Sequence, residues 1–447
     1  MKHNTVWRWT LLLLLSSMGI SKSWAQAPQR QLNLQEAIDL SLKNSSQLKY
    51  STAKIEEATG ALREALDRRL PDAKVSGSYL RLTNPTLDLK IKTGGSGGGS
   101  GETPKVNQAM YGLANASLPI YAGLRIRYGI ESAKYLADAA KLDADQDKET
   151  IILNTIDAYN NLYKSKAAVD LVQENLQTAQ QRVKDYTNLE QNGLLARNDL
   201  LKAQLQQSNV ELSLLDAQNN WKLANISMDI LLGLSDSTVL VVDTTNFSAI
   251  AGLKTVDEYF QSGLQNRNDL AALDLRKKAA TSGVKATLGE KYPSLAVTGG
   301  YAALGIPKVL TVLNAVNIGV GVQYDIASLW KNNARLQQAR AREKQLTASE
   351  MQLSDAIRLQ IAQAYQNFLS AQKKIDVYQQ AVVQASENYR VINNRYANSL
   401  STATDVLDAD LAQLQARLNY AFAKSDTWVA YNKLLQTAGL LNQTSIK

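Results

Sequence analysis

Two aspartates, Asp405 and Asp408, sit one helical turn apart in "LSTATDVLDA" (residues 400–409), a stretch otherwise rich in leucine, valine and alanine. At i and i+3 they share one helix face. Acids in a first turn complement the helix dipole, and Thr404 and Asp405 are suited to capping, a role equally open to Asp199 in "LLARNDLLKA" (residues 194–203). Other chemistry is scarce. The chain has no cysteine, and its one histidine, His3, lies in the N-terminal leader, which removes most nucleophile–base pairs and most transition-metal sites. "DADQD" (residues 143–147) resembles the start of a calcium loop, but Lys148 stands where the turn glycine belongs and Asn154 where the bidentate glutamate belongs, so it reads as a solvated helix face. No catalytic residue, metal ligand or cofactor is expected, and the reading is not an enzyme.

The elements that position these acids follow from composition and period. A basic start (Lys2, Arg8), an apolar run Leu11 to Leu15 and the small-residue ending "SWAQA" read as a secretory signal, residues 1–25, cut after Ala25. No later run is apolar enough for a spanning helix, so a membrane, if crossed, is crossed by strands. The formal charge of +8 falls to about +5 when Lys2, Arg8 and Lys22 leave. The remaining cations come in pairs such as Arg68–Arg69 and Lys277–Lys278 without interleaved aromatics, a solvated surface and not a nucleic-acid patch.

The sequence also repeats. At an offset of 222, "NSSQL" (residues 44–48) meets "NRNDL" (266–270), Pro71 meets Pro293, Gly77 meets Gly299 and Tyr79 meets Tyr301; at 206, Tyr159 meets Tyr365, Ala179 meets Ala385 and Asp199 meets Asp405. The 16-residue difference falls at a loop, residues 84–106, carrying "GGSGGGSG" (94–101), which reads as a natural insertion or an engineered linker. The division is therefore a first repeat (26–236), a linker with the short strand "STVLVVDTT" (237–252), a second repeat (253–441) and a tail (442–447).

Each repeat reads as helix, strand, strand, very long helix, helix. In the second, a helix runs from about Val256 to Glu290, before Pro293, and is followed by strands over residues 294–304 and 314–329. In the latter strand Val316, Ile318, Val320, Val322, Tyr324 and Ile326 alternate with polar or small residues, and Met110, Ala114, Ala116, Leu118 and Ile120 keep the same parity in the first repeat. Such one-sided strands suit either a half-buried soluble sheet or a membrane barrel. The long helix, about Trp330 to Ala397, carries Ile361, Tyr365, Phe368, Ala371, Ile375, Tyr378, Val382, Ala385, Tyr389, Ile392 and Tyr396 at spacings of three and four, a coiled-coil seam. Its roughly 68 residues would reach about 100 Å.

The leader, the duplication, the proline before each half's first strand and the paired "GLLARNDLLKA" (193–203) and "SLSTATDVLDA" (399–409) together resemble the TolC-like family of outer-membrane efflux proteins, over nearly all the mature chain. The resemblance implies a mainly α fold with a β-barrel portion: long coiled-coil hairpins forming a trimeric α-barrel in the periplasm, and four strands per chain entering one 12-stranded outer-membrane barrel. It implies a passive channel whose partners are two further copies, a periplasmic adaptor, an inner-membrane transporter and outer-membrane lipid. It further implies that Asp405 and Asp408 ring the periplasmic entrance, where gathered carboxylates select cations. It sets the adaptor-docking tip at Gly193, Leu194, Ser399 and Leu400. Where the family pattern has a latching arginine that reaches carboxylates such as the one matching Asp199, this chain has Ser401, so either Arg197 substitutes or the closed state is held differently. The competing reading is a non-channel coiled-coil adaptor or surface protein.

Overall fold

Prolines and left-handed turn residues punctuate the chain into fourteen elements among the residues that this computed structural model describes, 29–83, 106–243, 252–307 and 310–441. The leader, the Gly/Ser run, residues 244–251 of the linker and the tail lie outside the described residues. In order the elements are β1 (Gln29–Leu32), α1 (Leu34–Asn44), α2 (Ser46–Asp67), β2 (Asp72–Arg81), β3 (Gln108–Ala122), α3 (Arg125–Gln191), α4 (Arg197–Leu232), β4 (Val239–Val242), α5 (Val256–Asn266), α6 (Asn268–Gly289), β5 (Ser294–Ile306), β6 (Leu310–Gln323), α7 (Ser328–Ala397) and α8 (Ala403–Thr437).

Several bounds differ from the sequence reading. The helix expected over residues 256–290 is two, because Arg267 turns extended (φ −72°, ψ 122°) and its guanidinium binds Asp269 two residues on, at 3.0 and 2.5 Å, and Gln360 at 2.8 Å. Those bonds compete with helix continuation. β6 begins at Leu310 and ends at Gln323, short of the expected residue 329, and α7 starts at Ser328. Ile120 is a bulge between Pro119 and Tyr121, so Tyr121 and not Ile120 continues the ladder opposite Leu295. "DADQD" lies within α3 but is not merely solvated: Asp143 pairs with Arg276, and Asp147 accepts from the Ser51 hydroxyl at 2.6 Å.

The described chain divides into two compact units, and each draws on both sequence halves. One comprises residues within Met1–Ser46, Glu149–Val256 and Ala362–Lys447, the other Gln47–Lys148 and Asp257–Ile361. In the first unit β1 and β4 form a parallel pair, Gln29 opposite Val239 through Leu32 opposite Val242. Leu32 and Leu240 of this pair pack against Tyr159, Leu162, Met228 and Leu232. The Tyr159 hydroxyl lies within hydrogen-bonding distance of the carbonyls of Leu32 (3.0 Å) and Asp243 (2.8 Å), so its one proton is shared between the ends of the two strands. Along the expected α7 seam, Ile361 and Phe368 are buried, and every later seam residue to Tyr396 is half-buried.

The second unit holds an antiparallel sheet in the order β2-β3-β5-β6. At its base the chain leaves β3 through Gly123 (φ +62°). A Cβ on Gly123 would collide with the Gly289 carbonyl, and one on Gly289 with the Gly123 carbonyl, so both positions require glycine.

Candidate functional site

The two helix-to-helix turns, α3 to α4 and α7 to α8, close with the same backbone bonds. Gly193 N–H donates to the Glu190 carbonyl and Leu194 N–H to Leu189, both at 2.9 Å; Ser399 donates to Tyr396 (2.9 Å) and Leu400 to Arg395 (2.8 Å). This is a Schellman turn, which needs a left-handed residue after the helix. Gly193 takes φ +70° at little cost, whereas Ser399 takes φ +60° with a side chain. Leu194 and Leu400 follow in equivalent positions and are 75% and 67% exposed. Behind them Tyr186, Leu200, Ala203 and Ala403 form a shared core, with the Tyr186 and Tyr396 rings 5.5 Å apart.

The acids of this region have three different fates. Thr402, not Thr404 or Asp405, is the N-cap of α8: its hydroxyl accepts from Asp405 N–H at 3.2 Å, while the Asp405 carboxylate accepts from Thr402 N–H, the Thr402 hydroxyl and the Ser401 hydroxyl, each at 2.8 Å. This capping box holds the Asp405 carboxyl below its ordinary range, chiefly through the Thr402 backbone donor and then the two hydroxyls. Asp408 is exposed on the same helix face and makes no hydrogen bond or ion pair among the described residues. Asp410, two positions on, is buried: Arg182 meets it at 2.9 Å, both side chains being 8% exposed, and Asn175 adds a bond at 3.3 Å. Arg182 also donates to the Tyr389 hydroxyl at 3.1 Å, tying α3, α7 and α8 together.

Sequence reasoning did not single out that buried network. Its signal was present: Ala403, Val406 and Asp410 fall at successive seam positions of α8, and a charge on a seam requires a partner. Asp199 lies in the first turn of α4 and is bound by Lys202 at 3.4 Å, which also reaches the Thr404 hydroxyl at 3.1 Å and so links α4 to α8. Arg197 is exposed, with no ion pair among the described residues.

The sheet of the second unit separates its side chains by polarity. Register sets Ala73, Val75, Gly77 and Tyr79 of β2 opposite Ala116, Ala114, Gly112 and Met110 of β3; the same face continues through Val297, Gly299 and Tyr301 of β5 to Val320, Ile318 and Val316 of β6. The other face carries Lys74, Ser76, Ser78, Asn115, Ser117, Thr298, Asn317 and Gln323, and turns apolar only towards one end, at Leu80, Tyr111, Leu113 and Leu304. There the Asn115 and Asn317 side chains flank Gly300, where a Cβ would come within 2.9 and 2.5 Å of their oxygens. The apolar face is bare: Val75 is 87% exposed, Ile318 86% and Val322 70%. No described helix is long and apolar enough to cross a membrane.

A family model described as outer membrane efflux protein matches residues 37–234 and 260–440. The chain belongs to the outer membrane efflux protein family. Similar proteins include Outer membrane protein TolC of Escherichia coli (strain K12), 20% identical over 450 residues, 97% of this chain and 87% of TolC. Outer membrane efflux protein BepC of Brucella suis biovar 1 (strain 1330) is 21% identical over 396 residues, 86% of this chain and 85% of BepC. Among solved structures, the outer-membrane channel OprN matches with a TM-score of 0.75 at 20% identity, over 91% of this chain and 89% of its own. CusC, whose structures concern folding and transmembrane channel formation, matches at 0.77 and 19%, over 91% and 92%. Transport is thus the family's business, and the mainly helical fold with few strands is shared with outer-membrane channels.

Proposed function

We propose that three copies of this chain form a passive outer-membrane channel-tunnel, exporting small molecules or polypeptides from the periplasm or from an inner-membrane transporter to the exterior. The observation that carries the reading is the sheet, apolar and bare on one face, largely polar on the other and unpaired at both edges among the described residues. A bilayer is the solvent in which such a face is favourable, provided that the edges close. Four strands are too few to close alone, so strands from further copies complete a 12-stranded barrel. The paired hairpins form a periplasmic α-barrel.

In this reading the turns at Gly193 and Ser399 form the periplasmic tip, and Leu194 and Leu400 offer a periplasmic adaptor two apolar contacts. Asp408, exposed and without a partner among the described residues, supplies the mobile charge of an entrance ring, while Asp405 adds charge from a fixed position. Arg197, exposed and with no ion pair among the described residues, is placed to latch onto an acid of a neighbouring copy, with Asp199 and Ser401 as the other candidate latch residues.

Planar-bilayer conductance tests the reading, with a trivalent cation added on the tip side. Cation-selective currents blocked by that ion are expected, with Asp408→Asn relieving the block more than Asp405→Asn. Folded, purified protein that conducts nothing would overturn the channel.

A further inference from the structure

Resting on the trimeric reading above, we infer that β6 of one copy pairs with β2 of the next in a single register, with Val320 opposite Tyr79, Val322 opposite Gly77 and Asp325 opposite Lys74. These two strands are the edges of the four-stranded sheet, so within one chain they cannot meet.

The register comes from the ladders that one chain does contain. Moving β2 by 222 positions and β3 by 206 turns the pair Asp72–Ser117 into Ser294–Gln323, and the same shifts carry each pair through Leu80–Ala109 onto an observed pair of β5 with β6, ending at Ala302–Ala315. The two hairpins therefore share one register. The remaining ladder joins β3 to β5, with Ala114 opposite Tyr301, Ala116 opposite Gly299, Leu118 opposite Val297 and Pro119 opposite Ala296. Carrying its β3 side forward by 206 and its β5 side back by 222 gives Val320–Tyr79, Val322–Gly77, Tyr324–Val75 and Asp325–Lys74, a ladder that only a second copy can supply.

Three further observations agree with this register. Val320 and Val322 share a face with Val75, Gly77 and Tyr79, whereas a one-residue slip would set Val320 against Ser78 or Leu80 on the other face. A two-residue slip keeps the face but moves Lys74 from Asp325 to Gln323 or Ala327 and loses the opposite charges. The apolar alternation also runs on through Tyr324, yet β6 stops at Gln323, where its in-chain partner β5 begins at Ser294. The second copy's β2 gives Tyr324 and Asp325 the partners they lack within the ladder.

The chain has no cysteine, which makes crosslinking a clean test. Val320→Cys with Tyr79→Cys is oxidised in the purified full chain, and its mass in detergent is measured beside a non-reducing gel. The trimer mass with reductant-sensitive covalent multimers is expected, roughly ten-fold more than from Tyr79→Cys paired with Ile318→Cys or Val322→Cys, whose Cα atoms lie beyond disulfide reach in this register. Asp325→Cys with Lys74→Cys should crosslink as well. A trimer that crosslinks best through a shifted pair, or through none, overturns the register alone. A monomer in detergent overturns the trimeric reading beneath it.

Discussion

On α8 an aspartate is buried only where an arginine meets it, while on β6 valines and an isoleucine stand bare to solvent. Asp410 is 8% exposed and held by Arg182, Asn175 and, through Arg182, Tyr389; Ile318 is 86% exposed with nothing over it. The helical unit meets most of its own demands: Asp405 is capped, Asp410 is paired, and the Tyr159 hydroxyl reaches backbone carbonyl oxygens. The sheet does not. Its apolar face and open edges are unfavourable in water and become favourable in hydrocarbon with a partner strand on each side. One chain thus carries a part that largely satisfies itself and a part that, under the function proposed above, lipid and further copies complete.

The largest effect should come from breaking the self-sufficient part. Arg182→Ala leaves Asp410 buried without its cation and should cost roughly 3–5 kcal/mol in a denaturant titration, whereas Arg182→Met with Asp410→Leu should recover most of that loss. On the sheet the prediction is face-specific. Ile318→Lys should cost about 2–4 kcal/mol when the protein folds into vesicles, while Asn317→Lys, on the polar face, should leave vesicle folding nearly unchanged. Equal effects at these neighbours would erase the distinction between the faces.

A smaller test concerns a carboxyl that the helical unit buries at a cost. Asp229 is fully buried, accepts one bond from Asn225 at 2.8 Å, and is pushed up to about 6 by burial and by the nearby Asp236 charge. Its folded value lies above its ordinary 3.8, so the folded state binds the proton more tightly. The stability this contributes is fully present below about pH 4 and is lost as pH rises through 6. Asp229→Asn should remove that slope and gain on the order of 2 kcal/mol above pH 7, read from melts across pH. The smallest change compares the two turns: Ser399→Gly should stabilise by about 1 kcal/mol and Gly193→Ser destabilise by a similar amount, since both positions are left-handed. A melting series of the two variants checks the pair.

Much of this was legible without the fold. The α7 seam from Ile361 to Tyr396 and the one-sided alternation from Val316 to Val322 are local signals, since a period needs only neighbours in sequence. The β1–β4 pairing was not legible, because it joins Gln29 to Val239, 210 positions apart, and four-residue strands carry almost no pattern. Nor was the break at Arg267, which depends in part on Gln360 arriving from α7. The Ile120 bulge was hidden because alternation predicts a strand but not an extra residue within it.

The sequence alone determined the periods, and hence which residues share a helix stripe or a strand face, because backbone geometry repeats every 3.6 or two residues whatever the chain packs against. It could not separate Asp405, Asp408 and Asp410, three acids within six residues. Only the tertiary structure made the first a cap, left the second free and buried the third against Arg182, because a carboxylate's role is fixed by the donors and cations that distant segments bring to it.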